Sequence, residues 1–334
     1  MMKQTLLLIL MLAGLASAHT TITVNPDEAD TPPNYLSLSL AEAALPDPLT
    51  DDYIINCAST KGTNDTTPAV INVATLNGAT QHTLTINGNN TTGIFDDAKY
   101  HLKVAGTQTA ITINSHYVTF DGLQVTGIVT SYQGIYAAAT YTNITIKNCL
   151  IQDFTKTGGY AGIYFDATTA ANRYAYNNVI WNCTNGIYTN ASTCTVAHNT
   201  IVGCTTGLQI VRGGSCVTVV KDNLVSGGTT CWNLSGSGGT ITTAYNYTSD
   251  ATSPDGAGYQ SKTFTFIGGE DYHLNASEAG LYDCVDPTIS GLTTDIDGES
   301  RTVWTAGADE LASAWSASGN MHAGMLLGNH RRRQ

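Results

Sequence analysis

Charge is what this sequence has least of. Asp, Glu, Lys and Arg make up 12% of its 334 residues, against ~25% in an average soluble domain. Helix-rich folds need strong helix formers with charged outer faces, so a chain this poor in them is not mainly helical. Several chemical signatures are missing as well. No C-x-x-C occurs, which removes zinc ribbons and thioredoxin-like redox sites. No G-x-S-x-G marks a nucleophilic serine, and the 8 His include no H-E-x-x-H. No segment is long and apolar enough to span a bilayer.

Small, neutral, polar residues replace the charge. The chain holds 51 Thr, 25 Asn and 33 Gly, together with 17 Tyr. Disordered chains are charged and poor in β-branched and aromatic residues, so disorder is excluded and an all-β protein remains. The formal charge is −12, which argues against nucleic acid and anionic membrane surfaces as partners. It also argues against a bare polyanionic glycan unless a cation bridges the two.

The first eighteen residues read as an export signal. Lys3 is the positive end, Leu6 to Leu12 the apolar core, and Ala16, Ser17 and Ala18 an A-x-A cleavage site. The expected mature protein starts at His19, outside the cell and without a membrane span. At the other end, Arg331 to Arg333 form a short basic tail. In an exported chain the 8 Cys are potential disulfides.

A repeat of variable period occupies the middle of the chain. Gly134-Ile135-Tyr136, Gly162-Ile163-Tyr164, Gly186-Ile187-Tyr188 and Gly207-Leu208-Gln209 recur, each followed by an Asn leading an apolar pair. Those Asn are Asn148, Asn178, Asn199 and Asn223. An earlier copy runs from Ile111 to Val125, with Val118, Phe120 and Leu123 apolar. A unit of this size cannot bury its own apolar side, whereas stacked units can.

These Asn-led coils resemble the right-handed parallel β-helix proteins of the pectate-lyase-like superfamily. The resemblance extends to Tyr35–Leu45, similar to the helix that caps the first coil, with Ser39 and Glu42 as its capping box. It reaches Asp295 to Arg301 and Gly307 to Glu310, similar to the closing segment of secreted bacterial β-helix proteins. It implies a single-stranded right-handed parallel β-helix (a solenoid) with an N-terminal helical cap. The expected divisions are a signal at 1–18, cap and first coils at 19–100, and regular coils at 101–265. A closing segment at 266–310 and a polar tail at 311–334 complete them.

Stacking turns register into columns. With Ile135, Ile163, Ile187 and Leu208 inward, Tyr136, Tyr164, Tyr188 and Gln209 face outward in one line. That line is either a platform for neutral glycan or a stack that stabilises the coils. Cys183 and Cys204, each five residues after its Asn, share one place on adjacent coils, as a disulfide or as stacked thiols. Cys194 and Cys216 are a second such pair in poorer register. The Asn column at 148, 178, 199 and 223 is expected to form a side-chain amide ladder.

For catalysis, Asp153, Asp166 and Arg173 are the candidates, the carboxylates near coil ends and the arginine as the base. Asp295, Asp297 and Gly298 lack the remaining ligands of a calcium loop and read as a turn. With few groups for an acid–base site, the sequence favours a secreted, non-catalytic scaffold or binding module needing no cofactor. The rival is a polysaccharide lyase or hydrolase working in a groove, with Ca²⁺ if a lyase. A self-assembling subunit, as an oligomer or filament, is a further alternative, because a β-helix end exposes strand edges.

Overall fold

The computed structural model describes residues 19–30, 32–128, 130–166, 172–284, 292–301 and 304–310. The export signal and the basic tail lie outside the described residues. Each regular coil is three short strands joined by bends; in one coil they are Ile144–Lys147, Leu150–Gln152 and Ala161–Phe165. Strands at the same place in successive coils pair in parallel. Among the described residues this builds a first sheet of ten strands and second and third sheets of seven each. The protein is a parallel β-helix.

Inside, like residues stack on like. Phe120, Ile146, Ala175, Val196 and Val220 form one inward column of the first sheet. Val125, Ile151, Ile180, Ile201 and Val225 do so in the second, and Ile135, Ile163, Ile187 and Leu208 in the third. All are buried. The repeated glycine before each third-sheet strand is required by close approach. A Cβ on Gly186 would stand 2.6 Å from the Gly207 carbonyl oxygen and 2.5 Å from Ile201 Cγ2.

The bend between the first and second sheets carries two columns. Asn148, Asn177, His198, Asp222 and Tyr245 all adopt positive φ, between 53° and 57°. The residues after them are Cys149, Asn178, Asn199, Asn223 and Asn246, all buried. In this second column the amide Nδ2 of Asn178 donates to Asn199 Oδ1, Asn199 to Asn223 and Asn223 to Asn246, each at 2.9 Å. The second amide hydrogens reach the carbonyls of Ile146, Ala175 and Val196. The expected ladder is therefore displaced at its first rung. Asn148 lies one residue out, in the left-handed column, and Cys149 takes the ladder position, its N–H donating to Asn178 Oδ1 at 3.0 Å. Asn246 extends the ladder at the other end.

Near the N-terminus a short helix, Leu38–Ala43, buries Leu38 and Ala41. Its N-cap is Ser37, whose Oγ accepts from the Leu40 N–H at 3.2 Å. The expected capping box does not form. Ser39 sits inside the helix, and Glu42 instead accepts from the Asn72 N–H at 2.8 Å. Buried Asp65 ties the helix down, accepting from the Leu38 N–H at 2.8 Å and from the Tyr100 hydroxyl at 2.7 Å. No helix among the described residues is long and apolar enough to cross a membrane.

The second sheet is apolar on both faces over much of its length. Its outward Leu150, Val179 and Trp181 pack against Ile296 and Ala308, and Leu224 and Tyr247 pack against Leu274, Tyr282 and Ala306. The C-terminal segment therefore runs along the flank of the helix. Buried Arg301 holds it there, donating to the carbonyls of Thr305, Gly307 and Ala308 and to Asn177 Oδ1. Asp295 Oδ1 accepts from the N–H groups of Asp297 and Glu299, closing the turn at Gly298.

The ladder yields a stability test. Asn199→Ala strips partners from Asn178, Asn223 and the Ala175 carbonyl together. At ~1–3 kcal/mol for each strongly buried group, the expected loss is about 2–4 kcal/mol in urea unfolding followed by circular dichroism. Asn148→Gly, which preserves the left-handed bend, is expected to cost less than about 1 kcal/mol. Equal losses for the two variants would refute the ladder's role.

Candidate functional site

The outward column of the third sheet contains Tyr136, Tyr164, Tyr188 and Gln209 in direct register. Tyr164 and Tyr188 lie face to face, centroids 4.7 Å apart and 6° from parallel, with Tyr136 tilted by 51° at 5.3 Å. A sugar ring stacks on an open aromatic face, and here the rings turn their faces on one another. Two of the three hydroxyls are engaged: Tyr136 donates to Asp166 Oδ2 at 2.7 Å, and Tyr164 accepts from Asn190 at 3.3 Å. Gln209 continues the column as an amide pair, accepting from Asn233 at 2.8 Å. Burial and Asp166 push the phenols upward, Tyr164 to about 12.

Asp166 and Arg173 meet at the edge of this column, but not as an acid and a base. Arg173 occupies an inward position of the first sheet, in line with Ile144 and Cys194, and is fully buried. Its guanidinium donates to the backbone carbonyls of Ala137, Ala138, Tyr141 and Asp166. Burial lowers it only to about 10, so it stays charged. A guanidinium caged by carbonyls cannot collect a substrate proton, so Arg173 is a core clamp on two bends.

Asp153 lies elsewhere. It follows a second-sheet strand at positive φ (65°) and accepts from Asn182 Nδ2 at 2.6 Å. It lines an open groove of about 650 Å³, which Asp166 and Arg173 do not line. The three catalytic candidates therefore do not converge.

That groove is the part of the second sheet that the C-terminal segment leaves bare. The outward columns change character along the sheet: Lys103, Thr126 and Gln152 come first, then Trp181 and Val202. The apolar half is covered by the C-terminal segment; the polar half lines the groove, with Lys103 half-buried and Thr126 and Gln152 buried at its floor. Its floor is a hydrogen-bonded row in which Gln152 Nε2 donates to Thr126 Oγ1 at 3.0 Å, with Thr126 Oγ1 2.6 Å from His101 Nε2. Phe95, set edge-on against Trp181 at 4.2 Å, and Ile128 add apolar surface. Lys103 is the one basic side chain among the acidic Asp97, Asp153 and Glu270. Burial lowers His101 to about 4, so it is neutral and serves as a hydrogen-bonding group.

Sequence reasoning singled out only Asp153 of this groove. A signal existed in the unbroken apolar triplets at 149–151 and 179–181. A strand covered on one face alternates, and one covered on both does not. The covering of the second sheet, and hence its bare remainder, was implicit there.

Beside the groove the C-terminal segment forms a second polar cluster. His273 Nδ1 lies 2.6 Å from Asp271 Oδ1 and Nε2 lies 3.1 Å from Asp297 Oδ1. Burial opposes charging this ring, but its hydrogen bonds to Asp297 and Asp271 and the charge of Asp309 raise it to about 9. Burial lifts Asp309 to about 6. With both nitrogens committed to carboxylates, His273 is an imidazolium clamp.

Cys183 and Cys204 occupy the expected matching places, the Cys183 N–H pointing at Cys204 Sγ at 3.4 Å. Both are buried as free thiols, the stacked arrangement of the two that the register allows. Cys194 pairs in register with Thr218 rather than with Cys216.

The sequence family described as right handed beta helix region matches residues 69–247, and the chain belongs to it. No curated protein matches the chain. Among solved structures it is similar to the crystal structure of pectate lyase Pel9A at 11% identity. That likeness covers 89% of this chain and 97% of the other, with a TM-score of 0.39.

The His273 clamp has a pH signature. A histidine raised from 6.5 to about 9 on folding stabilises fully below pH 6.5 and loses that contribution as pH rises to about 9. The wild-type melting temperature is expected to fall across that window. His273→Asn is expected to melt lower at about pH 6 and to change little from there to about pH 9. A wild-type profile no steeper than the variant's would refute the clamp.

Proposed function

We propose that the protein is an exported β-helix binding module that seats a neutral polysaccharide segment in the groove on its second sheet. The observation that carries this reading is the composition of the bare sheet. Gln152, Thr126, Asn182 and Lys103 offer hydrogen bonds, while Phe95 and Ile128 offer apolar contact for pyranose C–H faces. Three carboxylates against one ammonium disfavour anionic sugars unless a cation bridges them. Export is supported by Lys3, the Leu6 to Leu12 run and the A-x-A site.

The stacked tyrosines move the ligand away from the third sheet. The facing rings of Tyr164 and Tyr188 cover one another, and the Tyr136 and Tyr164 hydroxyls are taken by Asp166 and Asn190, which suits a stabilising stack better than a platform. A second reading, a lyase or hydrolase, draws on the same groove, because Lys103 stands among acids that can hold Ca²⁺ or handle protons.

The two readings separate in one experiment. Purified protein is tested for retention on neutral and uronate polysaccharides, with and without calcium, while reducing ends and unsaturated products are followed. Retention on a neutral glycan without turnover is expected. The double variant Gln152→Ala/Asp153→Ala should weaken it about tenfold or more, ~1.4 kcal/mol, and Tyr188→Ala should leave it unchanged. Substrate-specific turnover would replace the binding reading with the enzymatic one. Loss of retention in Tyr188→Ala alone would return the ligand to the tyrosine column.

A further inference from the structure

The left-handed column of bends holds a cluster that the groove does not use. His198 and Asp222 occupy the same place on neighbouring coils, both at positive φ. The C-terminal segment brings Cys284 against them, its N–H donating to the Trp304 carbonyl and the Gly307 N–H to that of Asp222. One donor atom from each of His198, Asp222 and Cys284 lies within 4.8 Å of the others, and all three residues are buried.

We propose that His198, Asp222 and Cys284 form a structural site for a zinc-type divalent cation, which fastens the C-terminal segment to the coils. Three observations carry this. First, His198 is fully buried, and although its ring faces the Thr305 backbone and Asp222, neither ring nitrogen makes a hydrogen bond of good geometry. Buried polar groups are otherwise paired, so an open imidazole nitrogen facing a carboxylate and a thiol is the signature of a ligand position.

Second, His198 Nε2 stands 3.4 Å from Asp222 Oδ2. Tetrahedral bonds of about 2.0–2.3 Å place the donors about 3.3–3.8 Å apart, so this edge already has the right length. Third, the donor set suits the cation. Imidazole nitrogen, thiolate sulfur and carboxylate oxygen are zinc ligands, and thiolate plus carboxylate neutralise a divalent charge where water cannot. Thr305, paired with the neighbour of Cys284, has a buried hydroxyl without a partner. That hydroxyl or a water supplies the fourth donor. On binding, the Cys284 thiol gives up its proton to solvent as the metal–sulfur bond forms.

The test uses the full mature chain, stripped of metal and titrated with Zn²⁺ and then with Co²⁺. A single equivalent is expected to bind. Co²⁺ should give a thiolate charge-transfer band together with strong tetrahedral d–d absorption. Cys284→Ser should lose the charge-transfer band and His198→Gln the stoichiometric binding, while Cys231→Ser, a buried cysteine elsewhere, keeps both. X-ray absorption of the zinc-loaded wild type should show one sulfur and a remainder of nitrogen and oxygen, a readout that does not depend on any variant folding. No saturable binding would overturn the site, and so would a sulfur-free shell. A shell with two sulfurs would assign the metal to the Cys183 and Cys204 thiols instead.

Discussion

The structure depends on one constraint: in a parallel solenoid, every side chain's nearest neighbour is the residue at the same position one coil away, about 4.8 Å off. A position therefore has to be compatible with itself in translation. Branched aliphatics satisfy this inside, where Ile stacks on Ile through the third sheet. Asparagine satisfies it at the tightest bend, because its amide is both donor and acceptor and repeats head to tail from Asn178 to Asn246. Charged residues fail the same condition, since like charges would stack. The scarcity of Asp, Glu, Lys and Arg follows from the translation rule, and Thr and Asn fill the positions charge cannot occupy.

Where buried charge does enter, it is held singly, by Arg173 inside the coils and by the C-terminal segment outside them. Arg301, His273 and Asp295 all sit on the C-terminal segment, and the partners of Arg301 are chiefly carbonyls of that same segment. The segment thus brings its own electrostatic frame to an otherwise neutral flank. It also decides which part of the second sheet is usable. By covering Leu150, Val179 and Trp181 and stopping short of Thr126 and Gln152, it creates the groove's edge rather than merely bordering it.

Much of this was legible in the sequence, for the reason that makes solenoids simple: register is visible as repetition. The Gly-Ile-Tyr strands fix the third sheet and its outward column without further information. The errors arose where a repeat motif contains two adjacent residues of similar type. Asn148 lies two residues before Leu150, whereas Asn178, Asn199 and Asn223 directly precede the partners of Leu150 in register, so Asn148 belongs with Asn177 and His198, and Cys149 fills the ladder rung. Arg173 reads as a candidate base in the sequence because a cation in a polar stretch gives no sign of burial. Its alternation with Ala175 places it inside, a pattern the neighbouring Tyr174 and Tyr176 disguise. Contacts made by the C-terminal segment were beyond reach, since they link residues more than a hundred positions apart with no repeat to announce them.

Arg173 gives the stack something its repeats cannot. Coils so alike can pair with the wrong neighbour at little cost, because Ile meets Ile in every register. The guanidinium breaks that degeneracy. Its cage is built from the carbonyls of Ala137, Ala138 and Tyr141 on the preceding coil and Asp166 before it. Any slipped pairing would drive an uncompensated cation into an aliphatic column. One buried arginine thus marks a coil that is otherwise like its neighbours, and ties two of its bends together.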